Sequence, residues 1–207
     1  MTKIKANGNQ PLTEKELAKK QKKMEKVFQD FFKVLDFDTE NDPNIKESSQ
    51  RMAKMWVREL LEGNFSEEPK ITTFPNQQNT DQMIISGPIK VDSVCSHHGI
   101  TIAGSCYIAY IPGDEVIGIS KFSRIVRFFS RRMQIQEEMT QQISDYIQNL
   151  MKPKGIIVFM KCRHFCEIAR GVREENIWMT TSSVQGVFKE NASARQEFFN
   201  LINVGNK

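Results

Sequence analysis

The sequence predicts an α+β fold with a helical N-terminal extension, on three observations. Helical periodicity occupies the first part of the chain, β-branched and aromatic runs begin near residue 83, and two helical stretches then separate those strands from a second strand region. At 207 residues, with 39% hydrophobic and 26% charged residues, the chain can bury a substantial core as one unit. The expected division is a helical extension over 1–63, a connection over 64–82 and the main domain over 83–207.

Each element follows from local signals. Thr13 and Glu16 have capping-box spacing, and Met24, Val27, Phe28, Phe31 and Leu35 recur at helical intervals, predicting a helix over 13–35. A second helix is expected from Ser49, with Ala53, Trp56, Val57 and Leu60 on one face and Gly63 as its stop. Arg51, Lys54 and Arg58 fall on another stripe, which spacing alone reads as a solvated face. Residues 64–82 are polar and contain proline, hence the connection. "MIISGPIKVDSV" (83–94) and "GSCYIAYI" (104–111) read as strands, with "PGDE" as a turn before "VIGIS". Helices are expected over 120–131 and 135–150, stopped by Pro153 and Gly155. "GIIVFMKCRHFCEIARGV" and "NIWMTTSSVQGVF" return to strand, and "SARQEFFNLI" closes the chain as a helix.

The net charge of +4 is not spread evenly. Residues 1–33 hold nine Lys against four Asp or Glu, so the basicity is an N-terminal property and reads as a solvated helix face. Nucleic acid is therefore not an expected partner. No apolar run approaches the roughly 20 residues that span a bilayer, so no membrane association is expected. "MTKIKANGNQ" lacks the apolar core of a signal peptide, and a cytoplasmic location follows. In a reducing compartment the four cysteines, interleaved with histidines, favour metal ligation over disulfides.

The chain has only three histidines, and all lie beside cysteines: Cys95, His97 and His98 in "VDSVCSHHGI", His164 and Cys166 in "KCRHFCEIARG". On a strand, residues two apart share a face, so His164 and Cys166 point the same way and Cys162 shares their face. Adjacent His97 and His98 diverge, which suits one to ligation and the other to proton transfer. Thiolate with imidazole is a zinc donor set. Four protein ligands would close such a site and three would leave a place for water; the spacing supplies either.

At these residues a family resemblance emerges. "VCSHHGITIAG", "IPGDEVIGISKFSRIVRFFSRRMQIQEEMTQQI", "RHFCEIARGV" and "SSVQGVFKENASARQEF" are similar, in order, to blocks of the GTP cyclohydrolase I family, over Arg51 to Ile202. The resemblance implies a tunnelling fold, an antiparallel sheet with two packed helices, assembled as a homo-oligomer, usually a decamer, with active sites between subunits. It implies Zn²⁺ held by Cys95, His98 and Cys166, and acid-base roles for His97 and His164. The implied reaction is hydrolytic opening of the guanine ring of GTP at C8, release of formate and closure to 7,8-dihydroneopterin triphosphate, with no redox cofactor. The resemblance places Arg51, Lys54, Ser120, Lys121, Arg124 and Arg170 at the triphosphate, and Gln136 and Glu137 at the guanine. For Arg51 and Lys54 it replaces the solvated-face reading. Which pathway uses the product, whether folate, biopterin or deazaguanine synthesis, is not specified.

The sequence departs from the family pattern around the metal loop. Ser96 stands where Glu is usual, Gly99-Ile100-Thr101-Ile102 where a Leu-Val-Pro-Phe-like run is usual, Ser48-Ser49 where Thr-Pro is usual, and Glu138 where Arg is usual. These changes bear on rate and substrate preference, including a modified guanine nucleotide as substrate, and leave the implied ligands intact. Two rival readings use the same residues differently. A zinc-stabilised binding module with a basic arm would add Cys162 or His164 as a fourth ligand. A reductase of the same fold would need a nucleophilic cysteine and a nicotinamide cofactor, which the histidine grouping argues against.

Overall fold

The computed structural model describes residues 3–204. Residues 1–2 and 205–207, the ends of the expected N-terminal and main units, lie outside the described residues.

The first helix, α1 (Glu14–Val34), starts where the capping box predicts. Thr13 Oγ accepts from the Glu16 amide, and the Glu16 carboxylate accepts from the Thr13 amide at 2.9 Å. The second helical region is not one regular helix. It runs as α2 (Ser48–Lys54), a π-helical turn over Met55–Leu60, and a short α3 (Glu62–Phe65). Gly63 does not stop it. A Cβ there would lie 2.0 Å from the Phe128 carbonyl oxygen, and the Gly63 amide donates to Arg131 O at 2.8 Å. Glycine serves close contact with the next helix rather than termination.

The connection contains a three-residue strand, β1 (Thr73–Pro75), paired antiparallel with β4 (Glu115–Ile117). The main sheet has five strands in the order β5-β2-β3-β6-β7. They are β2 (Ile84–Cys95), β3 (Thr101–Ile111), β5 (Met133–Gln134), β6 (Gly155–His164) and β7 (Met179–Gly186). The β2-β3, β3-β6 and β6-β7 pairs are antiparallel; the short β5 runs parallel to β2 at Val94 and Cys95.

Two helices, α4 (Ile119–Ser130) and α5 (Gln136–Met151), cover one sheet face. Strand alternation sends Cys106, Ile108 and Tyr110 of β3, and Ile156, Val158 and Met160 of β6, into a core with Phe122, Ile125, Met139, Ile143 and Ile147. Tyr107, Ala109 and Ile157 point the other way, against Phe198 and Ile202 of α8 (Ala192–Val204) and Phe188 of α7 (Val187–Glu190). Burial on both faces is why these strands read as continuous apolar runs. The sheet, antiparallel apart from the short β5, with two packed helices is the α+β, tunnelling-fold arrangement expected.

One strand expectation fails where it matters. β6 ends at His164, and Phe165–Ile168 forms a helical turn, α6. Cys166 is therefore carried by a helical turn, and the two-residue strand alternation does not relate it to His164.

Candidate active site and metal centre

The sheet register brings the two histidine-cysteine segments together. β2 delivers Cys95 at its C-terminal end, β3 lies between, and Ile102 of β3 pairs with His164 at the end of β6. The chain turns at 96–99: the Gly99 amide donates to Cys95 O at 2.9 Å, and the Cys95 amide to Ile100 O at 2.8 Å. Gly99 has φ +68° and faces the Trp56 indole, so a side chain there would be both strained and crowded.

Cys95, His98 and Cys166 bring their ligand atoms within 4.8 Å of one another. One small ion spans that separation, since Zn–S and Zn–N bonds are about 2.3 and 2.0 Å. The donors are two thiols and an imidazole, so the residues present fit zinc. All four cysteines are free thiols. Cys162 sits fully buried among the helix-side apolar residues, as does Cys106, and burial pushes the Cys162 thiol up to about 12. Neither belongs to the cluster. His98 joins the ligand group and His97 does not; the two rings stand 6.3 Å apart at 77°. His97 Nδ1 lies 3.8 Å from Cys95 Sγ.

The ligand group opens on a cavity of about 400 Å³ lined by Cys95, His97, His98, Glu137, His164 and Cys166, with Ile135, Ile177, Trp178 and Met179 as apolar wall. Burial pulls His164 below its ordinary pKa; the carboxylates of Glu137 and Glu167 oppose this and His97 adds to it. Burial thus favours the neutral, basic form of the His164 imidazole. Burial, together with the neighbouring Cys95, pushes the Cys166 thiol up.

Glu137 reaches the cavity from the first turn of α5. Gln136 does not. Its side chain is fully buried, its Nε2 donating to Met179 O at 3.1 Å and Thr181 Oγ at 3.0 Å, with its Oε1 2.9 Å from His164 Nε2. A base in the cavity would meet Glu137, while Gln136 meets His164. Sequence spacing gave no sign of this, because Thr181 and Met179 reach Gln136 only through the β6-β7 ladder.

The six residues expected at the triphosphate do not line this cavity. Ser120, Lys121 and Arg124 occupy the first turns of α4, and Arg124 borders a separate cavity of about 210 Å³ with Glu62 and Arg127. Arg51 is exposed on α2 and paired with Glu47 at 2.7 Å; Lys54 is exposed on the same helix. Arg170 lies in the exposed segment after α6. Of the departures near the site, Glu138 accepts from Asn7 Nδ2 at 2.6 Å, tying the N-terminal segment to the start of α5.

A cysteine-histidine group able to hold a metal, beside two further histidines in an α+β fold, marks this cavity as the candidate site. The family profile and the curated relatives name the family. The family profile described as GTP cyclohydrolase I matches residues 14–203. The GTP cyclohydrolase 1 of Enterobacter sp. (strain 638) is 41% identical over 174 residues, covering 84% of this chain and 78% of the relative. That of Aliivibrio salmonicida (strain LFI1238) is 37% identical over 195 residues, covering 93% and 89% respectively. Among solved structures, the apo archaeosine synthase QueF-Like aligns with TM-score 0.39 and 15% identity over 58% of this chain and 97% of its own. The chain belongs to the GTP cyclohydrolase I family and is an enzyme of that type. Among the described residues, no helix is long and apolar enough to cross a membrane.

Proposed function

We propose that the protein converts GTP and water to formate and 7,8-dihydroneopterin triphosphate, using zinc held by Cys95, His98 and Cys166. The observation that carries this reading is the meeting of those three ligand atoms within 4.8 Å in one cavity with two further histidines. Bound there, zinc supplies a Lewis acid that makes water nucleophilic near pH 7.

The chain's own residues divide the remaining work. Glu137 accepts from the guanine ring N–H and exocyclic amine, setting C8 toward the histidines. A base without those donors leaves the carboxylate unpaired and is rejected. His97 donates a proton to N7, which makes C8 electrophilic. His164, whose neutral form burial favours, takes a proton from the attacking water and returns it as the ring opens. Ile135, Ile177 and Trp178 exclude bulk water from the base. Formate leaves in a second hydrolysis, and the ribose carbons rearrange and close on the freed amines.

The phosphates are held by cations converging on assembly. β5 covers β2 only at Val94 and Cys95, so the rest of that edge, and the outer edge of β7, have no partner strand among the described residues. Open edges on both sides of one sheet suit pairing of β7 with β2 of a second copy, repeated until a ring closes. Such a homo-oligomer, a decamer by family resemblance, brings Lys121, Arg124, Arg170, Arg51 and Lys54, with Ser120, to cavities shared between subunits, where each charge-assisted contact is worth about 1.5–3 kcal/mol. A cytoplasmic setting fits free thiol ligands.

The test is incubation of the purified protein with GTP, following formate and pterin fluorescence with and without a chelator. Turnover that stops on chelation supports the reading. Bound zinc with no turnover on any guanine nucleotide would favour the binding-module reading.

A further inference from the structure

We infer that Gln136 is a positioning residue that fixes His164 as its Nε2–H tautomer, so that Nδ1 is the ring nitrogen offered to the reaction. The inference rests on the function proposed above for its consequence, and on hydrogen-bond direction for its content.

An amide's oxygen and nitrogen have nearly the same shape, so their placement follows from what surrounds them. One end of the Gln136 amide faces Met179 O at 3.1 Å and, more weakly, Met160 O at 3.5 Å. Main-chain carbonyls only accept, so that end is Nε2. Thr181 Oγ, 3.0 Å from Nε2, must then accept as well. The adjoining hydroxyls make this consistent. Thr140 spends its single proton on Gln136 O at 2.8 Å, so the 2.6 Å contact between Thr140 Oγ and Thr181 Oγ is donated by Thr181. Thr181 has no proton left and accepts from Gln136. The opposite end of the amide is therefore Oε1, which only accepts, and it lies 2.9 Å from His164 Nε2. That ring nitrogen carries the hydrogen.

Reversing the amide breaks the set. A flipped amide would put Oε1 against carbonyl oxygens inside a fully buried pocket, where unmet polar groups are most costly. Gln136 thus links β6, β7 and the start of α5 to one ring, and His164 exchanges its proton with substrate only through Nδ1. Glu137, the next residue on α5, reaches the cavity, so one helical turn places both the base-binding carboxylate and the anchor of the catalytic imidazole.

The test uses the intact assembled protein labelled with ¹⁵N-histidine. With three histidines in the chain the ring-nitrogen spectrum is sparse, and magic-angle-spinning NMR reads it at any assembly size. The expected result is a hydrogen on His164 Nε2, protected from solvent exchange and in dipolar contact with the ¹³C-labelled Gln136 amide. Gln136→Leu should lose the protection and lower kcat about ten- to hundredfold with little change in KM, the range for partners that orient a functional side chain. Thr181→Ser, which keeps the hydroxyl, should retain both properties. A wild-type His164 protonated at Nδ1 alone, or Nε2–H protection unchanged in Gln136→Leu, overturns the inference. Should Gln136→Leu fail to fold, the wild-type tautomer and dipolar contact decide alone. Because the spectrum is read without substrate, failure of the GTP reading leaves this result intact, and the reverse also holds.

Discussion

Cys95, at the end of β2, and Cys166, in the helical turn after β6, hold their sulfurs within 4.8 Å of each other although β3 runs between their strands. That meeting is possible because both segments leave the sheet at the same end, beyond the N-terminal end of β3. The turn at 96–99 carries one side of the meeting and α6 carries the other, and His98 completes the group from the first of these.

Removing a ligand should remove the metal and the reaction together. In Cys166→Ser and His98→Ala, zinc measured by atomic emission should fall well below one ion per chain, and formate release from GTP should fall to background.

His97→Ala separates ligation from proton transfer. Zinc content should stay at the wild-type level while ring opening slows by about 10²–10⁴-fold, the usual contribution of a positioned acid or base. Wild-type turnover in this variant would remove the proton-donor assignment.

Zinc uptake should be coupled to pH. Burial and Cys95 raise the Cys166 thiol, so in the metal-free protein at neutral pH this ligand carries a proton that zinc must displace. The sign follows: affinity rises with pH and weakens as pH falls, by roughly tenfold per pH unit for each thiol proton expelled. Competition with a chromophoric chelator between pH 6 and 8 reads the slope, and a flat profile would contradict it.

Gly63→Ala tests the α3-α4 contact. Its Cβ would lie 2.0 Å from Phe128 O, so the helices must separate, at a cost of about 1–3 kcal/mol typical of overpacking. A lowered Tm is expected with zinc content unchanged, since neither helix carries a ligand.

Much of this was legible in the sequence, for identifiable reasons. α1 announced itself through Thr13 and Glu16, and the α4 and α5 spans through apolar periodicity, because these signals are local. Adjacency predicted that the His97 and His98 side chains diverge, and the two rings stand at 77°. What remained hidden depends on distant partners or on very short elements. The four-residue turn Phe165–Ile168 is too brief for periodicity to register, and the run through Cys166 looked like uninterrupted strand. Gly63 looked like a helix stop because glycine signals that locally, whereas its reason lies on α4. Gln136 looked like a base contact next to Glu137, since nothing near it in sequence reveals Met179, Thr181 or His164 as partners. The expected phosphate cations lie on α2, α4 and the segment after α6, and none of them lines the cavity.

The central claim is a zinc site with three protein ligands and one position for solvent. X-ray absorption at the zinc edge, on protein loaded with one ion per chain, tests it most directly. The account predicts two sulfur and one nitrogen ligand plus a single light atom that exchanges when an exogenous anion is added. A shell of four protein ligands, closed to that anion, would contradict it.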